Sequence, residues 1–425
     1  STTIGSSCLF IAALVAMAWS TAPAYAEQGT EQITAERFLE RIDGNLPELA
    51  RLDADVLAAR AEIAAAEALP SLGLGFEREE VFSDGEGLVQ KSAVSLAWTL
   101  DPSGRRGQRI RSAELLADAA RKENLHKKHL IVVGALEIYY RAARARLRVA
   151  SLRQTRAPLA KLVEQLETRV GEGDASGYDL ARFELELSEH DDRLAEADAE
   201  YSASRVRLGA LLGEAGGAIE PSDALGLPVS SQTSNPSSAA AQRSDVQAMA
   251  AASDSAKALL RAAKRWWVPT LDLSAGYMNT DLGPGSGPGA DLAHGYTAAI
   301  TASVPLFSRG DAEKRRGEAR SRRVRAHRLI LERQISVEVR VAEGLLRSRV
   351  ERARLYESKQ LAQVATLVHK TESAYHGGEA SALELRDAYR QVAAAKLRHI
   401  DLRFHSRMAE LDLWRATGKR GGTSK

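Results

Sequence analysis

The chain has 425 residues, with 58 Lys or Arg against 56 Asp or Glu, so its formal net charge is only +2. Charges this closely balanced argue against nucleic acid binding. Aromatic residues are 5% of the chain and the mean hydropathy is −0.27, which excludes a helical membrane protein. These values fit a transmembrane barrel with a large water-exposed helical part, and two ordinary domains would also fit the length.

Residues 1–26 are predicted to be a secretory signal peptide. They carry no charge and contain an apolar run from Cys8 to Trp19. The small-x-small sequence Ala24-Tyr25-Ala26 follows, so cleavage is expected before Glu27. The apolar run is too short to span a membrane as a helix. Cys8, the only cysteine, lies at the start of this run, before its apolar core, and is badly placed for a lipid anchor.

A first structural repeat is predicted over residues 27–213. Its elements are a helix from an Asn45 cap to about Ala68, strands at about 71–80 and 91–100, a long helix to about Val170 and a second long helix from about Ser176 to Leu212. Pro70 ends the first helix, because proline disfavours helix at the residue before it. Leu180, Leu187, Leu194, Tyr201 and Leu208 recur every seven residues on the last helix, the spacing of a coiled coil.

The strands are predicted from side chains that alternate between apolar and small or polar. In the first hairpin Leu72, Leu74 and Phe76 share one face, while Gly73 and Gly75 share the other. Each run is about ten residues long, the length that a tilted strand needs to cross a bilayer. A single hairpin of this kind could equally belong to a soluble protein.

A Gly, Pro and Ser-rich linker is predicted over residues 214–243, a second repeat over 244–418 and a flexible tail over 419–425. The second pair of strands is expected at about 270–279 and 296–306. The run 335–341 alternates like a strand but is assigned to helix, because its counterpart in the first repeat is helical.

The two repeats are related by a nearly constant offset in sequence. Residues 45–48 and 69–76 recur 199 positions later, residues 94–104 recur 206 positions later, and residues 173–176 recur 205 positions later. A tandem duplication explains this agreement, with each copy in the order helix, strand, strand, long helix, long helix.

Four strands in one chain cannot close a barrel, and lipid does not tolerate an open sheet edge. Several chains sharing one barrel would solve this, and three chains would supply about twelve strands. The predicted fold is therefore mainly helical with membrane strands, with a trimeric shared β-barrel and a long coiled-coil tunnel. Trp98, Trp266 and Trp267 fall at the helix-proximal end of the strands, as an interfacial aromatic girdle would.

Several short segments resemble TolC-like outer-membrane efflux proteins. They are Ile33-Thr34 leading to Asn45–Leu49, the strand starts at Pro70 and Pro269, Val304–Phe307, and the tips Arg169–Gly173 and Tyr375–Gly378. The resemblance covers residues 30–418. It implies a homotrimer in the bacterial outer membrane with a large periplasmic part, joined to a periplasmic adaptor and an inner-membrane pump of the RND type. Residues 98–110 look most like the CzcC-like heavy-metal branch.

The resemblance also implies functional residues. The adaptor would dock at two helical tips that contain Gly171, Gly173, Ser176, Gly377, Gly378 and Ser381. Glu384 and Asp387 would form the periplasmic aperture, where six carboxylates in a trimer would raise one another's pKa and favour cations. Asp179 and Tyr375 would link neighbouring hairpins and hold the aperture shut. The alternative is that these are ordinary loop and solvated helix residues.

The sequence predicts neither an enzyme nor a cofactor or metal site. The nine His residues do not cluster with a Ser or Cys nucleophile and a carboxylate. His126 and His129 could share a helix face, but Lys127 and Lys128 lie between them, which favours a solvated or packed pair.

Other functions remain open at the level of sequence. The channel could export drugs or serve type I protein secretion instead of heavy-metal efflux. A trimeric autotransporter adhesin also contributes four strands per chain, but its strands are contiguous at the C-terminus. A periplasmic coiled-coil adaptor has a long helical hairpin, but normally one rather than two.

Overall fold

A computed structural model describes residues 31–81, 89–214, 219–228, 240–281, 292–304 and 310–419. The predicted signal peptide lies outside the described residues, as do Pro305, Leu306 and Phe307 and the residues beyond Lys419.

The helices confirm the duplicated, mainly helical plan. In the first repeat they are α1 (Ala35–Asn45), α2 (Pro47–Glu67), α3 (Arg105–Gly171) and α4 (Gly177–Leu211). In the second repeat they are α5 (Ser244–Lys264), α6 (Asp311–Leu355), a π-helical segment (Tyr356–Leu361), α7 (Ala362–His376) and α8 (Ala382–Thr417). The ambiguous run 335–341 lies within α6, so its assignment to helix is confirmed.

The strands form two sheets. The first contains β1 (Glu31–Ile33) and β4 (Ile219–Pro221), which pair in parallel. The second contains β2 (Gly73–Val81), β3 (Val89–Leu100), β5 (Thr270–Asp281) and β6 (Leu292–Ser303), in the order β2-β3-β5-β6. All neighbours in this second sheet are antiparallel, so the two hairpins from the two repeats join into one sheet whose edges are β2 and β6.

The cap of the first predicted helix is one residue later than expected, so the prediction at Asn45 is wrong. The residue that caps α2 is Leu46, whose side chain cannot accept a hydrogen bond, and the helix starts at Pro47. Proline suits the first helical position because its ring fixes φ and it lacks only an N–H that would be unpaired there. The residue that caps α5 is Arg243.

The chain divides into two compact units. The first comprises the described residues up to Asn45 with Ala135–Gly226 and Ala353–Phe404. Leu162, Leu166, Phe183 and Leu385 are buried together in it, and Leu194 and Tyr201 pack on a neighbouring cluster, which confirms the heptad seam of α4. Within the range predicted as the linker, Ile219 is fully buried where β4 pairs with β1.

The second unit comprises Leu46–Gly134, Leu227–Arg352 and the described residues from His405. It contains the four-stranded sheet and a buried cluster formed by Val246, Ile335 and Val339 with small alanines. Throughout the described part of the chain, none of the helices combines the length and the apolar character that crossing a membrane would require.

Candidate functional site

The two helical tips have the same backbone structure. Gly173 and Gly378 have φ of 83° and 79°, a left-handed conformation that glycine adopts without a steric penalty. Asp174 N donates to Arg169 O at 2.8 Å and Gly173 N donates to Val170 O at 3.1 Å. The corresponding bonds at the second tip are Glu379 N to Ala374 O at 2.8 Å and Gly378 N to Tyr375 O at 3.1 Å. Each long helix therefore ends in a Schellman motif.

A serine starts the returning helix at each tip. Ser176 Oγ accepts a hydrogen bond from Tyr178 N at 3.2 Å. At the second tip Ser381 N and Ser381 Oγ both donate to Glu384 Oε2, at 2.7 and 3.0 Å, while Glu384 N donates to Ser381 Oγ at 3.3 Å. This reciprocal pairing is a capping box. Hydrogen bonds from the Ser381 N–H and then its hydroxyl lower the pKa of Glu384.

The two carboxylates predicted at the aperture are both exposed on α8, three residues apart and on one helix face. Glu384 is committed to the cap. Asp387 Oδ1 accepts a hydrogen bond from Arg386 Nη2 at 3.0 Å. The sequence reasoning overlooked Arg386, whose side chain is mostly buried, although its position beside Asp387 was visible.

The residues predicted to link hairpins lie in different settings. Asp179 is half-buried in the first turn of α4, and at the 205-residue offset it corresponds to Glu384. Tyr375 packs against the cluster that contains Leu166. It also borders a cleft of about 380 Å³ with Leu162 and Arg169.

One face of the four-stranded sheet is apolar and exposed. Its four rows across the strands are Phe76, Val94, Tyr277 and Tyr296; Leu74, Leu96, Ala275 and Ala298; Trp98, Leu273 and Ile300; and Leu100, Leu271 and Ala302. Tyr296 is 87% exposed and Ile300 is 75% exposed. Six residue steps along β5 span roughly 20 Å. Exposed apolar area of this extent marks an interaction site in water or a surface in contact with lipid.

The opposite face of the sheet is small and polar. Its central rows are Gly73, Ala97, Ser274 and Ala299; Gly75, Ser95, Gly276 and Thr297; and Thr99, Asp272 and Thr301. Thr99 Oγ1 donates to Asp272 Oδ1 at 2.5 Å. The two faces of the sheet therefore differ in polarity.

Aromatic residues lie at both ends of the apolar face. Trp98 lies near the helix-proximal end, as predicted. The sequence reasoning missed the aromatic row at the other end. There the ring centres of Tyr277 and Tyr296 are 5.7 Å apart, and Phe76 lies in the same row. The period-two pattern had already placed Phe76 on this face, but the row that it forms with Tyr277 and Tyr296 depends on strand register, which alternation alone does not give.

The two other predicted interface tryptophans follow α5. Trp266 packs beneath Gly310, where an added Cβ would lie 2.5 Å from the indole ring, and Lys314 Nζ is 5.0 Å from the ring centre. Trp267 is 64% exposed. The structure thus keeps one of the pair packed and leaves the other available for contact.

The predicted His pair has protein partners. His126 Nε2 is 3.6 Å from Asp245 Oδ2 and His129 Nε2 is 2.8 Å from Trp414 O. Burial lowers the pKa of His126, although Asp245 opposes this effect. Among the described residues, no group of three or more His, Cys, Asp or Glu side chains could hold a metal ion.

Comparison with known proteins agrees with these features. Residues 235–419 match the model of the family described as Outer membrane efflux protein, and this confirms the resemblance to TolC-like efflux proteins. The family description also agrees with the predicted location in the outer membrane. No curated protein matches the chain in sequence.

Solved structures share the fold over nearly the whole chain. A membrane protein from Pseudomonas aeruginosa matches with a TM-score of 0.77 and 19% identity, covering 90% of this chain and 93% of its own. CusC, whose structure is described in terms of folding and transmembrane channel formation, matches with a TM-score of 0.76 and 18% identity. The match covers 93% of this chain and 95% of CusC. The outer membrane protein VceC from Vibrio cholerae matches with a TM-score of 0.73 and 19% identity. The match covers 90% of this chain and 96% of VceC.

Proposed function

We propose that this chain is the outer-membrane channel of a tripartite efflux system and acts as a passive conduit from the periplasm to the exterior. Three copies would share one barrel, and their long helices would form the tunnel. The match to the outer membrane efflux protein family supports efflux, a transport role rather than an enzymatic one.

The apolar face of the four-stranded sheet carries this proposal. It carries aromatic residues near both ends, as lipid-facing strands do, and beyond the Tyr296 row the same face becomes polar with Arg78, Ser92 and Asn279. The strands at the sheet edges, β2 and β6, would pair with those of neighbouring copies, which would satisfy the backbone groups that lipid cannot.

The helical tips are the proposed contact with a periplasmic adaptor, and through it with an inner-membrane pump of the RND type. Both tips expose the same turn, so one adaptor motif could recognise two sites per chain. Support for this comes from the match in φ and hydrogen bonds between Gly173 and Gly378.

Glu384 and Asp387 are the proposed ring of carboxylates at the periplasmic aperture, closed by Asp179 and Tyr375. Such a ring would favour cations. Heavy-metal cations are the cargo suggested by residues 98–110, and drugs or secreted proteins are the alternative.

Two strand pairs from separate repeats join in one sheet, which favours the channel over both rivals. An adhesin would carry its four strands together, and an adaptor would carry a single helical hairpin.

The test is the mass of the detergent-extracted protein, measured by native mass spectrometry, together with its flotation with phosphatidylcholine liposomes. A trimer that floats with the liposomes is expected. A stable monomer with full strand content would overturn the proposal.

A further inference from the structure

A groove of about 580 Å³ lies where the first strand pair meets the helices. Leu69, Trp98 and Leu100 line its apolar side, and Arg106 and Arg109 line its polar side. Trp98 and Leu100 belong to the two rows of the apolar face that are nearest to α3. The groove therefore joins the apolar face to two guanidinium groups.

The two arginines differ in how they are held. Arg106 Nη2 donates to the main-chain oxygen of Glu67, and Arg106 Nε is buried with no hydrogen-bond partner in the described part of the chain. Arg109 is exposed, and none of the described acidic side chains pairs with it. Asp101 also lines the groove, but it pairs with Arg105, 3.3 Å from Nε. The groove therefore presents net positive charge.

The groove has the composition of a lipid headgroup site. Tryptophan suits the boundary between acyl chains and headgroups and leucine suits the acyl chains beside it, and arginine binds phosphate oxygens with directed N–H donors. We propose that the groove binds the phosphate of an anionic phospholipid, phosphatidylglycerol, in the leaflet on the helical side of the membrane. This rests on the proposed function, because it requires the apolar face to lie in a bilayer.

The second repeat provides an internal comparison. At the 206-residue offset, Trp98 corresponds to Val304, Arg106 to Ala312 and Arg109 to Arg315. Arg315 is therefore an exposed arginine at the same level of the repeat, with Val304 in place of Trp98 and Ala312 in place of Arg106. Arg315→Gln is the matched control for Arg109→Gln, since both remove one charge from an exposed helical position.

The experiment titrates the detergent-purified full-length protein with phosphatidylglycerol, or with phosphatidylcholine, and counts bound lipids by native mass spectrometry. The wild type should prefer phosphatidylglycerol, because the choline cation of the other lipid repels the groove. Arg109→Gln should weaken phosphatidylglycerol binding roughly five- to tenfold, as expected for one interfacial charge, and Arg315→Gln less than about twofold. Circular dichroism would confirm that both variants keep their structure.

Three outcomes would overturn the proposal. These are equal binding of both lipids, equal losses in both variants, or full displacement of the lipid by inorganic phosphate, which would indicate a free-phosphate site. Flotation with phosphatidylcholine liposomes separates this failure from that of the proposed function. If the protein floats with the liposomes but binds both lipids equally, only the proposal of a lipid site in the groove is refuted. If the protein does not float, the proposed channel function is refuted.

Discussion

Gly173 and Gly378, which occupy corresponding positions in the two repeats, share a left-handed backbone conformation with φ values that differ by only a few degrees. A Cβ added at either glycine would meet no atom within 4 Å. A side chain there is consequently opposed by the backbone conformation and by any docked partner, but not by crowding within the chain.

Replacing both glycines by valine should abolish efflux while leaving the trimer intact. Each valine should cost about 1–2 kcal/mol in folding free energy, because a left-handed conformation is unfavourable for L-residues, and achiral glycine avoids this cost. Efflux would be measured as resistance of cells to an exported toxic compound, and assembly by native mass spectrometry.

The matched controls are Gly378→Asn, which tolerates the left-handed conformation, and Gly171→Ala, a helical position where an added Cβ meets open space. Both should retain more efflux than the valine variants. If the variant with valine at both positions still supports efflux, the adaptor docks elsewhere.

Ala298 and Ala299 are adjacent exposed residues on β6 with opposite orientations. Ala298 belongs to the apolar face and pairs with Ala275, whereas Ala299 belongs to the polar face and pairs with Ser274. Ala298→Arg should destabilise the membrane-inserted protein by about 2–4 kcal/mol, because the guanidinium would lie in hydrocarbon. Ala299→Arg should have a much smaller effect, since that face would line water.

The measurement is urea unfolding of the two variants in liposomes, with wild type alongside. Equal destabilisation by the two arginines would show that the sheet does not separate lipid from water.

The alternation along the strands was enough to predict the four strands and their two faces, because each side chain's face follows from its position in the strand. The small sheet of β1 and β4 could not be predicted in this way. Its strands have three residues each, too few to show a period, and they lie far apart in sequence and pair only in the folded chain.

At the second tip, the sequence contains a helix-start pattern that the sequence analysis did not use. Ser381 and Glu384 have the spacing of a capping box, but Glu384 was considered only as an aperture residue. The residues that precede α2 and α5, Leu46 and Arg243, were missed for different reasons. Leu46 has a side chain that cannot accept a hydrogen bond, so no cap pattern indicates it. Arg243 is held in place by the carbonyl of Ala416, a contact distant in sequence.

Folding stability should fall as the pH drops below about 6.5, the ordinary pKa of histidine. His190 is buried, with Nε2 2.8 Å from Thr155 Oγ1 and Nδ1 lacking a partner among the described residues. Burial lowers the pKa of His190, and also lowers those of His126 and His399. The unfolded chain therefore binds more protons than the folded one in this pH range, so stability rises with pH.

Thermal unfolding at pH values between about 5 and 7.5 would measure this dependence. His190→Gln removes one of the three groups and should make the dependence shallower. His327→Gln, at an exposed position of α6, is the control and should leave it unchanged. A pH dependence of opposite sign would show that these histidines are stabilised in their charged form.

Glu384→Gln combined with Asp387→Asn should reduce cation selectivity and weaken block by multivalent cations in planar bilayers. These amide variants test the charge better than alanine, because Gln at position 384 can still accept hydrogen bonds from Ser381 and preserve the start of α8. In a trimer, crowding with other carboxylates would raise the pKa of Glu384, whereas the Ser381 bonds lower it, so Glu384 should hold its charge to lower pH than crowding alone would allow.

Two further variants make the conductance test specific to this ring. Glu379→Gln removes an exposed carboxylate from the same tip and should have a smaller effect than the double variant. Arg386→Gln frees Asp387 from its hydrogen bond with Arg386, so it should increase cation selectivity. If selectivity and block are unchanged in the double variant, or if Glu379→Gln changes them equally, Glu384 and Asp387 do not line the pore.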